Sequence, residues 1–160
     1  MSRNPHIVLI GNPNSGKSSV FNHLTGLRQK IGNFPGVTVE KKSGVFQFSN
    51  KEKATVIDLP GAYSLYPRRS DEWVSYKQLM SPRAGEGVDI AIVVADATAL
   101  RRNLLFVSQV IDLKIPVVVA LTMMDIAKKR GIRVNIDQLS REMQVPVVPV
   151  NARSGKGVDE

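Results

Sequence analysis

Residues 11–18 read Gly-Asn-Pro-Asn-Ser-Gly-Lys-Ser, two spaced glycines followed by a Lys-Ser pair. They stand between an apolar run, Ile7-Val8-Leu9-Ile10, and the helix-like segment Ser19 to Leu24. A buried strand that turns through glycines straight into a helix restricts the chain to an α/β layout with this loop at a strand's carboxyl end. The chemistry of the position is equally narrow. At a helix N-terminus the backbone N–H groups and the helix dipole offer positive charge to phosphate oxygens. Lys17 adds a full charge near β and γ phosphates, and the Ser18 hydroxyl is a candidate Mg²⁺ ligand. Gly11, Asn12, Pro13, Asn14, Ser15, Gly16, Lys17, Ser18 and Ser19 are therefore the candidate phosphate-binding residues.

With 160 residues, 42% of them hydrophobic, the chain is long enough to bury a core without disulfide or metal staples. There are no cysteines, and no apolar stretch reaches the length of about eighteen residues that a membrane span needs. Met1 to Pro5 lacks the apolar core of a signal peptide, so the chain as given reads as soluble and cytosolic. The net charge of +8 fits nucleic acid, an anionic membrane face, or a nucleotide site with solvated lysines. The scattered Arg68-Arg69, Arg101-Arg102 and Lys128-Lys129-Arg130, without aromatic interleaving, decide little; solvated surface is the plain reading of each, and no nucleic acid is expected.

Strands alternate with helical segments, the pattern of a mostly parallel sheet covered on both faces. Val37 to Phe48 reads as an extended strand, and Ala54 to Leu59 as its antiparallel partner across the turn Ser49 to Glu52. The apolar runs Asp89 to Ala95, Pro116 to Leu121 and Pro146 to Val150 are further strands, which with Ile7 to Ile10 make six. Leu100, Leu104, Val107 and Ile111 fall on one face of a helix, as do Leu139 and Met143 in a later one. One domain spans 1–160. Ser154 to Glu160 looks like the turn and opening of a final, truncated helix, without which a doubly wound sheet exposes apolar surface, so a fragment of a longer polypeptide is expected.

Further landmarks follow the phosphate loop in order. Asp58-Leu59-Pro60-Gly61 ends a strand; its carboxylate can hold Mg²⁺ through a water, and the Gly61 N–H can meet a γ phosphate. Thr38 lies in the loop before the long strand, where its hydroxyl can complete the Mg²⁺ shell only with triphosphate, making that loop a candidate switch. Thr122-Met123-Met124-Asp125 follows a strand's carboxyl end, and the Asp125 carboxylate can accept from guanine N1–H and N2–H₂. Asn151-Ala152-Arg153 follows the last strand, with the Ala152 N–H facing guanine O6. This series points to a GTPase that binds GTP and GDP with Mg²⁺.

Longer runs make the resemblance more specific. Phe21-Asn22-x-Leu24-Thr25-Gly26, then Gly32-Asn33-Phe34-Pro35-Gly36-Val37-Thr38-Val39-Glu40-x-Lys42-x-Gly44, and Asp58-Leu59-Pro60-Gly61-x-Tyr63-Ser64-Leu65 join the phosphate loop. Together they resemble the N-terminal G domain of the FeoB family, the bacterial ferrous iron transporters, across nearly the whole chain. The resemblance implies a Ras-like P-loop GTPase fold on the cytoplasmic face of the bacterial inner membrane. It implies GTP hydrolysis that regulates or powers Fe²⁺ uptake, with the chain's own helical and transmembrane domains, and FeoA or FeoC, as partners. It also implies Gly36, Val37 and Pro60 as nucleotide-contacting positions. A GTPase of ribosome or tRNA maturation is the alternative within the superfamily.

Three positions depart from the general GTPase pattern. Thr122 stands where the guanine motif usually has Asn, and Asn151 where the last motif has Ser or Thr; Asp125 with its charge-assisted bonds should still dominate guanine preference. Ala62 stands where many GTPases place a water-orienting glutamine. Tyr63 is within reach as a replacement, and Arg68, Arg69 and Arg28 are the nearby arginines. The resemblance implies instead K⁺ bound by Asn14 and by backbone carbonyls around Gly32-Asn33-Phe34, giving slow, K⁺-stimulated turnover.

Overall fold

The computed structural model describes residues 4–26, 29–80, 87–151 and 153–158. Strands β1 (His6–Gly11), β2 (Gln29–Asn33), β3 (Glu40–Gln47), β4 (Lys53–Asp58), β5 (Ile90–Asp96), β6 (Val117–Thr122) and β7 (Val147–Pro149) form one sheet. Helices α1 (Lys17–Thr25), α2 (Ser70–Met80), α3 (Leu100–Asp112), α4 (Met124–Lys129) and α5 (Ile136–Met143) connect them. The strand order is β2-β3-β4-β1-β5-β6-β7. The β2–β3 and β3–β4 pairs are antiparallel and the others parallel.

The central strands are buried because both faces are covered, which is why Val8, Leu9, Ile10, Val93 and Leu121 form uninterrupted apolar runs. On one face Val74 and Leu79 of α2, Phe106, Val107 and Val110 of α3, and Leu139 and Met143 of α5 pack against the sheet. On the other, Val20 and Phe21 of α1 meet Ile7, Leu9 and Val56. Beside α1 this second face carries an apolar groove of about 250 Å³ lined by Leu24, Phe46, Phe48, Ile92, Val148 and Val158 among others. Residues 153–158 form turns. No helix among the described residues is long and apolar enough to cross a membrane.

The sheet has one strand more than the six expected. The extra one, β2, is Gln-Lys-Ile-Gly-Asn, whose sole aliphatic side chain, Ile31, is 69% exposed. Such a sequence carries no buried-face alternation; it becomes a strand because the backbone of β3 offers it a ladder, Lys30 opposite Ser43 and Gly32 opposite Lys41. Val37 to Val39, expected in the long strand, instead lie in a turn closed by Val37 N–H on the Phe34 carbonyl (3.3 Å) and Phe34 N–H on the Val39 carbonyl (3.0 Å).

Candidate nucleotide-binding site

β1 ends at Gly11 in register with Val94 of β5. A β-carbon at Gly11 would sit 2.5 Å from the Val94 carbonyl oxygen, so only glycine allows the loop to leave the sheet here. The loop then folds back on itself, with Ser15 N–H donating to the Asn12 carbonyl (3.2 Å). Asn14 (φ 62°) and Gly16 (φ 87°) take left-handed conformations, which asparagine and glycine tolerate best. Gly16 caps the N-terminus of α1, so the helix dipole and the unpaired N–H groups of its first turn face the cleft.

Neighbouring elements hold this loop in place. Ala62 N–H donates to the Gly11 carbonyl (3.1 Å) and Leu59 N–H to the Leu9 carbonyl (2.9 Å), so the Asp58–Gly61 turn runs alongside β1 and its loop. A β-carbon at Gly61 would touch Pro13 at 3.2 Å. Behind Gly61, the buried Ser75 hydroxyl of α2 donates to the Pro60 carbonyl (3.0 Å). From β6, the fully buried Thr122 hydroxyl shares its proton between the Ser15 carbonyl (2.6 Å) and the Ala95 carbonyl (3.1 Å).

The result is a cleft of about 440 Å³ lined by Asn12, Pro13, Asn14, Gly16, Lys17, Ser18, Ser19, Gly61 and Asp71. The Lys17 ammonium bonds the Asp58 carboxylate, and both side chains are largely buried. The buried Asn12 side-chain amide and Ser15 hydroxyl have no hydrogen-bond partner among the described residues. Asp71, in the first turn of α2, was passed over in the sequence because its place depends on where α2 begins. That start is set by Glu72, whose carboxylate accepts from Arg68 N–H (2.8 Å) and Arg69 N–H (3.2 Å).

A second cleft of about 240 Å³ opens at the carboxyl ends of β6 and β7, lined by Met124, Asp125, Pro149, Val150, Asn151, Lys156 and Gly157. Met123, left-handed at φ 59°, turns the chain into α4 and leaves Asp125 exposed in its first turn. Asn151 Oδ1 accepts from Arg153 N–H (3.0 Å) and Ser154 N–H (3.1 Å). That is the turn a Ser or Thr hydroxyl makes more weakly, so asparagine here keeps the local fold. Ala152 lies outside the described residues. Lys156, which the sequence reading did not single out, joins the same cleft.

Several expectations need revision. Thr122 does not face the base cleft; it is a buried tie beneath the phosphate loop. Gly36, Val37 and Thr38 are exposed and absent from the phosphate-cleft lining, as are Gly32 and Asn33, whose backbone is in β2. Tyr63 is no water-positioning group in this arrangement: its ring lies 5.4 Å from the Arg102 guanidinium of α3. Arg69 is paired with Asp71 (3.5 Å), and neither Arg68 nor Arg69 lines the cleft; Arg28 lies outside the described residues.

The model of the family described as ferrous iron transport protein B matches residues 5–160. The Fe(2+) transporter FeoB of Escherichia coli (strain K12) is 46% identical over 157 residues, covering 96% of this chain and 20% of that protein. The Fe(2+) transporter FeoB of Leptospira biflexa is 44% identical over 155 residues, covering 97% of this chain and 22% of that protein. The chain thus spans about a fifth of the length of these relatives. Among solved structures, an S. thermophilus NFeoB mutant bound to mGDP superposes with a TM-score of 0.90 at 44% identity, over 98% of this chain and 58% of that one. The cytosolic domain of the T. maritima FeoB iron transporter in its GMPPNP form gives 0.89 at 36% identity, over 97% and 60%.

Proposed function

The chain belongs to the ferrous iron transport protein B family, and from that premise we propose that it is the GTP-binding, GTP-hydrolysing domain of a longer membrane protein, regulating or powering ferrous iron uptake from the cytoplasmic face. The observation that carries this reading is the pair of clefts at one end of the sheet. One presents Lys17, Ser18 and the Gly16-capped helix start, the other Asp125, and both lie along the carboxyl ends of parallel strands. The length of the relatives supports the longer polypeptide, whose other domains, with FeoA or FeoC, would be its partners.

Lys17 exchanges one anion for another in this scheme. Paired with Asp58, its charge is neutralised in a half-dry site; a β or γ phosphate competes for the ammonium and releases the carboxylate. Ser18 and Asp58 then form a hard-oxygen donor set that fits Mg²⁺, which supplies neutralisation of phosphate charge when bound. Asn14, Gly61 and, after movement of its loop, Thr38 would surround the γ phosphate. Asp125 would select guanine through two bonds to its carboxylate, with Met123, Asn151, Ala152 and Arg153 shaping the base pocket. Asn14, which lines the cleft, would offer its side-chain oxygen to K⁺, and the Gly32–Phe34 carbonyls, outside that lining, would join it after movement of the β2–β3 hairpin.

Competition of GDP and ADP for a fluorescent guanine nucleotide tests the reading. GDP should bind at least about 100-fold tighter, as two charge-assisted bonds require; equal affinities overturn it. The finer claim is tested by GTP turnover in K⁺ against Na⁺ at equal ionic strength, in the parent and in Asn14→Ala. Stimulation lost in the variant supports the K⁺ role, and equal rates in both salts remove it.

A further inference from the structure

The fold brings the start of α3 beside the residues at and after the end of α4. Arg101 and Arg102 open α3 and line a shallow cleft of about 740 Å³ together with Leu105 and Ile132. Ile132 closes the turn after α4, its N–H on the Ala127 carbonyl (2.9 Å); Lys128 and Lys129 end α4, and Arg130 and Arg133 flank Ile132 in the chain. All these cations are exposed, and among the described residues none of them forms an ion pair. Leu105 and Ile132 are themselves 61% and 37% exposed.

No carboxylate lines the cleft. The nearest one along the chain, Asp96, is turned to the backbone, accepting from the Thr98 N–H and hydroxyl (both 2.7 Å). Two protruding aliphatic side chains beside Arg101 and Arg102, the latter also over the Tyr63 ring (5.4 Å), form an open basic surface, not a pocket. We propose that this α3–α4 face docks on an anionic phospholipid surface, with the cations on the headgroups and Leu105 and Ile132 at the headgroup boundary. The inference rests on the reading above, which puts the domain beside a bilayer. Lipid is favoured over an acidic protein because the face is open and offers no deep site for an anchoring side chain.

Co-sedimentation of the 160-residue chain with vesicles, phosphatidylcholine alone or with about one third phosphatidylglycerol, tests this at low salt. The parent should bind the anionic vesicles only, and added salt should release it. The triple reversal Arg101→Glu, Arg102→Glu, Lys128→Glu should lower partitioning about tenfold or more, given what each basic residue contributes near such a surface. A charge-matched control, Lys51→Glu, Lys53→Glu, Lys114→Glu, should lower it far less. Leu105→Ser with Ile132→Ser should weaken binding while leaving its salt dependence. Equal losses in patch and control variants, or equal binding to neutral vesicles, overturn the proposal. So does binding of the patch to polyglutamate with no binding to vesicles. GDP binding measured on the same samples separates the two readings: a chain that binds GDP and ignores anionic vesicles loses the docking face alone, and one that binds vesicles but not GDP loses the nucleotide reading.

Discussion

The phosphate loop and the β2–β3 hairpin are both built from short, polar, glycine-containing sequence, yet the molecule holds them in opposite ways. The loop is fastened from several sides: by β5 at Gly11, by β6 through Thr122, by the Asp58–Gly61 turn through Ala62, and by the Lys17–Asp58 pair. The hairpin joins the rest of the sheet only through β3, and its outer strand is almost wholly exposed. Between its strands Phe34 is buried, 5% exposed, while Thr38 stands in solvent. A ligand can therefore bind to the first region with its backbone already in place, exchanging only the Lys17–Asp58 pair, and can do work on the second, because a preformed backbone cradle spends little binding energy on its own ordering.

Lys17→Ala would cut deepest into this contrast. It removes the cradle's full positive charge and leaves Asp58 without its partner, so GTP turnover should fall by about 10²- to 10³-fold. Turnover within about twofold of the parent would mean that the cradle does not act through that charge.

Glycines offer the next test. Gly11→Ala forces a methyl against the Val94 carbonyl and should destabilise the chain by about 1–3 kcal/mol in denaturant unfolding. Gly32→Ala, with nothing within 4 Å of the added carbon, should stay within about 0.5 kcal/mol. Equal costs would erase the distinction between a fastened and a loosely held segment.

Thr122→Val is nearly isosteric and removes only the buried hydroxyl. Leaving the Ser15 and Ala95 carbonyls without that donor should cost about 1–2 kcal/mol of stability and weaken GDP binding in parallel. Loss of stability with unaltered GDP affinity would show that the tie supports β6 and not the loop.

The smallest expected signal is in hydrogen exchange. Amides of residues 29–38 should exchange faster than those of β6 with GDP, and should slow by about tenfold with a non-hydrolysable GTP analogue, as Thr38 and Gly61 gain a γ-phosphate partner. Identical protection in both nucleotide states would remove the hairpin as a switch.

Much of the fold was legible in the residues because burial on both faces leaves a plain record. Ile7 to Ile10, Asp89 to Ala95 and Pro116 to Leu121 sit at the sheet centre, and the glycines of residues 11–18 mark a backbone path that other residues would block. Asp125 and Asn151 were found because strand ends fix where a ligand crevice must open. β2 left no such record, since an exposed edge strand is held by backbone hydrogen bonds that any side chains permit.

What the sequence determined by itself was the alternation of the buried strands with helices, the phosphate loop and the family, since these depend on local periodicity and on residues adjacent in the chain. What only the tertiary structure decided were the partnerships between distant segments. Thr122 became a tie to Ser15, Asp71 came to line the cleft beside Lys17, Tyr63 turned to Arg102, and Arg101 and Arg102 came to share a cleft with Ile132. Each follows from how the crossovers stack elements side by side, and a hydroxyl or a charge carries no local mark of the neighbour that packing will bring to it.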